Sequence, residues 1–214
     1  RSLIEVQKAE PPDPASTVPW ETIRDGCRGD GSSPLLLAGE LAFPSSLIPV
    51  GPAFAEYARP SFPAKRPILE AVCDLNRRIH EDFVFDPAAT DHTTPVAQVL
   101  AKRRGVCQDF AQVMIACLRS IGLPARYVSG YLETMPPPGQ VKLVGADASH
   151  AWVSCFVPRF GWVDFDPTND CFTSLDLITV AYGRDFSDVS PVRGIITGGG
   201  HHTVGVGVDV EPLG

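Results

Sequence analysis

With 214 residues, 44% of them hydrophobic and 20% charged, the chain can bury one good core, or a core plus a small appendage, and its composition excludes a disordered protein. No apolar run reaches membrane-spanning length, so no membrane partner is expected. The net charge of −7 comes without any dense Lys/Arg block, so no nucleic-acid partner is expected either.

Residues 1–7 read as part of a strand, and Pro11-Pro12-Asp13-Pro14 as a linker-like break. The chain opens at Arg1 rather than methionine, which reads as a fragment or processed form. Eleven of the 21 prolines fall in the first 67 residues, which predicts an irregular segment wrapping over a core. From Pro67 the pattern turns helical, with Ile68, Ala71, Val72, Leu75 and Ile79 on one stripe. Thr94-Pro95 predicts a cap followed by proline at the first helical position, opening a short helix through Val96, Val99 and Leu100. A further helix follows Gly105, with Phe110, Val113, Met114, Cys117, Leu118 and Ile121 at helical spacing until Gly122 and Pro124 stop it. The period then switches to two. Ala125 to Leu132 reads as a strand and residues 135–139 as a loop. Ser149 to Val157 and Gly161 to Asp166 read as paired strands joined by Pro158-Arg159-Phe160. Residues 192–197 and 202–210 predict a late hairpin around Gly198-Gly199-Gly200. Helices first and antiparallel strands afterwards imply an α+β fold.

The six cysteines are irregularly spaced, with no C-x-x-C, and read as reduced thiols of a cytoplasmic protein. Cys107 differs from the rest because it falls in the first turn of a helix. There the positive end of the helix dipole favours thiolate over thiol, and backbone N–H groups without intrahelical partners can receive an oxyanion. Cys117 lies inside the apolar stripe of the same helix and is set aside as a nucleophile. The plain alternative for any cysteine is a small buried hydrophobe, so the case for Cys107 depends on a base.

A thiol nucleophile needs an imidazole, and the imidazole needs a third group to fix its tautomer. Of the five histidines, His80 ends a helix, His92 lies in a polar loop, and His201 and His202 flank the triple glycine. His150 stands at the start of a strand, where the plain alternative is a hydrogen-bonded sheet histidine. Asp164 and Asp166 follow on the next strand with shared parity, and parity does not choose between them. Asn169 is the substitute should neither serve. Parity argues against a metal centre, because His150 and Cys155 fall on opposite faces of one strand; no metal and no cofactor is expected.

Three ordered segments, Gly105-Val106-Cys107, Ser149-His150-Ala151-Trp152 and Gly161-Trp162 leading to Asp166-Pro167-Thr168, resemble the transglutaminase-like superfamily, in particular its bacterial branch, often described as cysteine proteases. The resemblance runs over about residues 67–169 and continues more loosely through Ala181-Tyr182-Gly183-Arg184-Asp185-Phe186. It implies a papain-like fold, with the nucleophile helix packed on an antiparallel sheet. It also implies Cys107 as nucleophile, His150 as base and Asp166 as orienter, since the family's aspartate follows a tryptophan by four positions, as Asp166 follows Trp162. The implied activity is thiol-dependent acyl transfer on amide bonds of a protein or peptide. Hydrolysis by a cysteine protease or amidase is favoured, with a cross-linking protein-glutamine gamma-glutamyltransferase or a non-catalytic binding module as alternatives. Bacterial members often carry a tyrosine near Phe83-Val84-Phe85. That hydroxyl is absent here, which leaves the Cys107 N–H as the one assigned oxyanion donor. Longer relatives place a β-rich domain upstream. Residues 1–45 are therefore expected to hold its last strand and a proline-rich linker, and residues 46–214 the catalytic domain.

Overall fold

Proline starts helices in the first third of this chain instead of breaking them. Pro19 caps α1 (Trp20–Gly26), while α2 (Pro34–Gly39) and α3 (Pro52–Ala58) open on a proline. The ring is tolerated there because the N–H it removes has no intrahelical acceptor, and its fixed φ suits the first turn. The proline-rich segment is thus helical where an irregular wrap is predicted. Ile23, Ile48, Phe54, Ala58 and Phe62 anchor it in the main core. The structure, a computed structural model, describes residues 4–6, 12–28, 34–91, 93–132, 149–172, 176–190, 194, 197–199 and 207–210. Residues 4–6 carry no regular structure, contrary to the strand read over 1–7, since a strand exists only by pairing. The loop at 135–139 and most of the late hairpin lie outside the described residues.

The stripe from Ile68 to Ile79 forms one side of α4 (Ile68–Asp82), and all five of its apolar residues are buried. After it come β1 (Val84–Phe85), α5 (Val96–Lys102) and β2 (Arg104–Gly105); β1 and β2 pair in parallel. Helix α5 begins one residue later than predicted. Thr94 does not cap it, because its hydroxyl closes a turn with Asp91. Helix α6 (Cys107–Ser120) follows and is buried on almost every side from Asp109 to Arg119. Its large apolar residues, Phe110, Val113, Met114, Ile115 and Leu118, each contribute about 1.5–3 kcal/mol by leaving water.

The sheet is antiparallel throughout, in the order β6-β5-β4-β3-β7. Its strands are β3 (Ala125–Leu132), β4 (Ser149–Val157), β5 (Gly161–Asp166), β6 (Cys171–Phe172) and β7 (Leu177–Gly183); α7 (Phe186–Val189) closes the described fold. The first three strands have the predicted bounds, and 158–160 form the predicted turn. Alternation sorts the side chains. Tyr127, Ala151, Val153, Cys155, Val163 and Phe165 join α6 in the main core, while Val128, Trp152 and Leu177 make a small second cluster. Gly130 is needed for that cluster, since a Cβ there would overlap the Ile178 carbonyl and the Trp152 ring.

Arg119, at the far end of α6, ties the layers together. Its buried guanidinium donates to the carbonyls of Leu41, Ala125 and Arg184 and to Ser45 Oγ. Burial pulls its pKa down to about 10, and it stays charged at neutral pH.

Candidate active site

The segment that delivers Cys107 is fixed before the helix begins. Arg103 adopts a left-handed conformation (φ 52°) that ends α5 and turns the chain into β2. Val84 N donates to Arg103 O (2.9 Å) and Asp86 N to Gly105 O (2.9 Å), so the strand ahead of the cysteine cannot drift. Val106 is extended, and its carbonyl accepts from Asp109 N (2.9 Å) and Phe110 N (3.1 Å). Asp109 reaches back: Oδ2 accepts the Val106 N–H (2.8 Å) and the Thr90 hydroxyl (2.6 Å). Only glycine at 105 leaves room for this. A Cβ there would stand 2.5 Å from Asp109 Oδ2 and 2.8 Å from its Cβ. Once Val106 N is satisfied by this cap, the Cys107 and Gln108 N–H groups are first-turn donors without acceptors inside the helix. Cys107, part-exposed, is the first residue of α6.

His150 lies at the start of β4 and is 8% exposed; Asp166, at the end of β5, is fully buried. His150 Nε2 is 2.7 Å from Asp166 Oδ2. Cys107 lies near enough to the same ring to act on its charge. The three residues singled out from the sequence are thus brought together, although 59 positions separate the first from the last (166 − 107). Burial pushes the imidazole toward neutrality, but the Asp166 carboxylate and the Cys107 sulfur outweigh it and raise the His150 pKa to about 9. Burial likewise pushes Asp166 up, yet its hydrogen bonds from His150, Asn169 and Thr168 N hold it below the ordinary carboxylate range.

Both Asp166 oxygens are filled. Oδ1 accepts from Thr168 N (2.9 Å) and Asn169 N (3.3 Å), and Oδ2 from His150 Nε2 and Asn169 Nδ2 (2.7 Å). Asn169 Nδ2 also lies 3.4 Å from His150 Nε2. It therefore supplements the aspartate, where the sequence suggests it only as a substitute. Asp164 lies two residues back on the same face. It faces Ser154 across the ladder, accepts its hydroxyl, and neighbours Arg126, one strand further on.

The remaining candidates stand elsewhere. Cys117 is buried in the core, and burial raises its pKa. Cys155 is buried against α6 on the other face from His150. His80 Nδ1 is 2.9 Å from Thr168 O, a tie that its place at a helix end does not reveal. His92, His201 and His202 lie outside the described residues. Sequence reading missed Thr90 and Asp109. Asp109 had a signal, an acid three residues after the N-cap, which is the capping-box position. Thr90 had none.

A thiol at a helix start, near an imidazole that a buried carboxylate holds, supplies the parts needed for nucleophilic chemistry by sulfur. Residues 56–167 match the model of the transglutaminase-like superfamily. An uncharacterized protein of Mycobacterium tuberculosis is 47% identical over 204 residues, covering 91% of this chain; the chain spans 62% of that relative's length. A protein-glutamine gamma-glutamyltransferase of Pseudomonas aeruginosa is 37% identical over 97 residues, 44% of this chain and 14% of that protein. Among solved structures, a Cytophaga hutchinsonii protein provisionally designated a cysteine protease superposes with a TM-score of 0.60 at 24% identity, over 74% of this chain and 52% of that one, a likeness of fold. With more than half of its length matched and a papain-like α+β fold around the paired residues, the chain belongs to the transglutaminase-like superfamily.

Proposed function

We propose that this domain is a thiol acyl-transfer enzyme acting on amide bonds, with Cys107 as nucleophile, His150 as general base and acid, and Asp166 as orienter. The observation that carries this reading is the His150 ring bonded to the buried Asp166 carboxylate, with Cys107 near enough to raise the ring's pKa. A ring raised to about 9 is protonated at neutral pH, the charge state that a thiolate–imidazolium mechanism asks of its base. The thiolate attacks the amide carbonyl carbon, and the oxygen gathers negative charge at the free N–H groups of the first α6 turn. As the tetrahedral intermediate collapses, the C–N bond breaks and His150 gives its proton to the leaving amine. The acyl group remains on sulfur as a thioester. Water then attacks with His150 accepting its proton, and the carboxylic acid departs as the thiolate returns.

Hydrolysis is the leading outcome. Transamidation, in which an amine replaces water in the second step, is favoured by the likeness to the Pseudomonas glutamyltransferase. One experiment separates them. The protein is incubated with a peptide library, with and without a primary amine, quenched in acid, and searched by mass spectrometry for a thioester on Cys107. Free acids released by wild type and by Cys117→Ala, and absent with Cys107→Ala, support the hydrolase. Amine adducts in place of acids point to transamidation. Turnover retained by Cys107→Ala overturns the mechanism.

A further inference from the structure

Asp166 owes its hydrogen bonds to the turn that follows it. Residues 167–170 curl back so that Thr168 N, Asn169 N and Asn169 Nδ2 all point at the carboxylate. The turn ends on Asp170 in a left-handed conformation (φ 48°), which for a non-glycine residue needs support from its surroundings. That support comes from one stripe of α4. Asn76 and His80 are four residues apart on the helix and share a face, with Arg77 beside them. Asn76 Nδ2 donates to Asp170 Oδ1 (3.1 Å), Arg77 Nε stands 3.7 Å from Asp170 Oδ2, and His80 Nδ1 meets Thr168 O at 2.9 Å.

Asn76 is the telling member. It is 3% exposed, yet its Oδ1 has no partner among the described residues. A buried carbonyl left unsatisfied costs on the order of 1–3 kcal/mol, a penalty that leucine at the same place would not carry. The amide is therefore a poor core residue and a good hydrogen-bond donor to the turn. A cavity of about 370 Å³, lined by Asn76, Arg77, Asp170, Cys171 and Phe165 among others, lies against the same turn, so packing alone does not hold it.

We propose that Asn76 is a positioning residue for the Cys107–His150–Asp166 reaction. By holding Asp170, it sets the 167–170 turn and thereby the orientation of the carboxylate against His150. The inference rests on the catalytic reading above, and its test keeps the two apart. The rate of iodoacetamide alkylation at Cys107 is followed by peptide mass spectrometry from pH 5 to 10, alongside Tm, for wild type, His150→Ala, Asn76→Leu, Asp170→Ala and Asp170→Asn. Wild type should alkylate at pH 6.5 at least about tenfold faster than His150→Ala, since an imidazolium holds the thiolate at mildly acidic pH. Asn76→Leu should match or exceed the wild-type Tm yet lose most of that advantage, as should Asp170→Ala. Asp170→Asn keeps an acceptor for Asn76 Nδ2 and should retain the wild-type profile. A folded Asn76→Leu with the wild-type profile overturns the positioning role. Should Asn76→Leu fail to fold, an Asp170→Ala profile equal to wild type overturns it instead. Identical profiles for wild type and His150→Ala overturn the catalytic reading and the positioning role with it.

Discussion

Replacing Asp166 by asparagine changes one atom in a site where both carboxylate oxygens already accept two hydrogen bonds. Whichever oxygen becomes NH₂ meets a pair of N–H donors. If the amide keeps its oxygen toward Thr168 N and Asn169 N, its NH₂ faces His150 Nε2 and can be accommodated only by the tautomer with its proton on Nδ1, which leaves Nε2, taken by the amide, as the ring's one acceptor. That ring can no longer take a proton from Cys107. The loss of charge acts in the same direction. With the His150 pKa near 9, ~97% of rings are protonated at pH 7.5; at the ordinary 6.5 the share is ~10%, and burial lowers it further. The ion pair thus falls about tenfold in population before any tautomer effect. In the serine-protease precedent the wrong tautomer costs up to about 10⁴ in rate, roughly 5.5 kcal/mol of barrier. Asp166→Asn should therefore retain its fold by circular dichroism, move the His150 titration from about 9 to 6.5 or below in ¹⁵N NMR, and lose most of its kcat. In Asp164→Asn, which alters the ladder contact with Ser154 and the charge beside Arg126, the His150 titration and turnover should stay as in wild type. A His150 titration that stays near 9 in Asp166→Asn, or moves in Asp164→Asn, refutes the assignment.

Two further outcomes are expected. Because the folded state raises the His150 pKa from 6.5 to about 9, it binds more protons than the unfolded chain between those values. The stabilisation is fully present below pH 6.5 and is lost as pH rises through 9, so Tm should fall over that window in wild type and stay flatter in His150→Ala, read by calorimetry. Gly105→Ala should push Asp109 off the Val106 N–H and cost about 1–2 kcal/mol in urea denaturation, the scale of a lost cap, with slower Cys107 alkylation at pH 6.5 because the first turn of α6 loosens. An alanine variant as stable as wild type would mean that the cap adds nothing.

The parts legible in the sequence are those where one residue pattern has one structural meaning. Apolar spacing located α4 and α6, and alternation gave β3, β4 and β5 their bounds. The candidate site was legible in part: Cys107 at a helix start and His150 at a strand start stand out by position, whereas parity leaves Asp164 and Asp166 equal and only the resemblance selects Asp166. What stayed hidden depends on partners distant in the chain. β1 and β2 are two residues each, too short for any period. β7 alternates poorly because Val180 and Tyr182 are both exposed at the edge of the sheet, and no amphipathic signal marks it. Proline in α2 and α3 has opposite meanings at a helix start and inside one, and composition counts both alike. Asn76 reads as a polar interruption of an apolar stripe, since its reason lies 94 residues away in Asp170.

Asp185 carries a different kind of consequence. Nearly fully buried, it caps α7 by accepting the Ser187 N–H, and its other oxygen takes Leu47 N at 3.0 Å and Ser46 Oγ at 3.2 Å, closing a loop of 138 residues. Its hydrogen bonds keep it ionised down to about pH 2 despite burial, so the closure holds at any pH a cell meets. Contacts of such sequence separation form late, because the entropy of closing the loop comes before the reward. A ribosome emitting this chain releases Cys107 well before His150, and both before Asp185. The sulfur therefore leaves the exit tunnel before the imidazole that it neighbours in the fold, and the two come together only after β4 has been made.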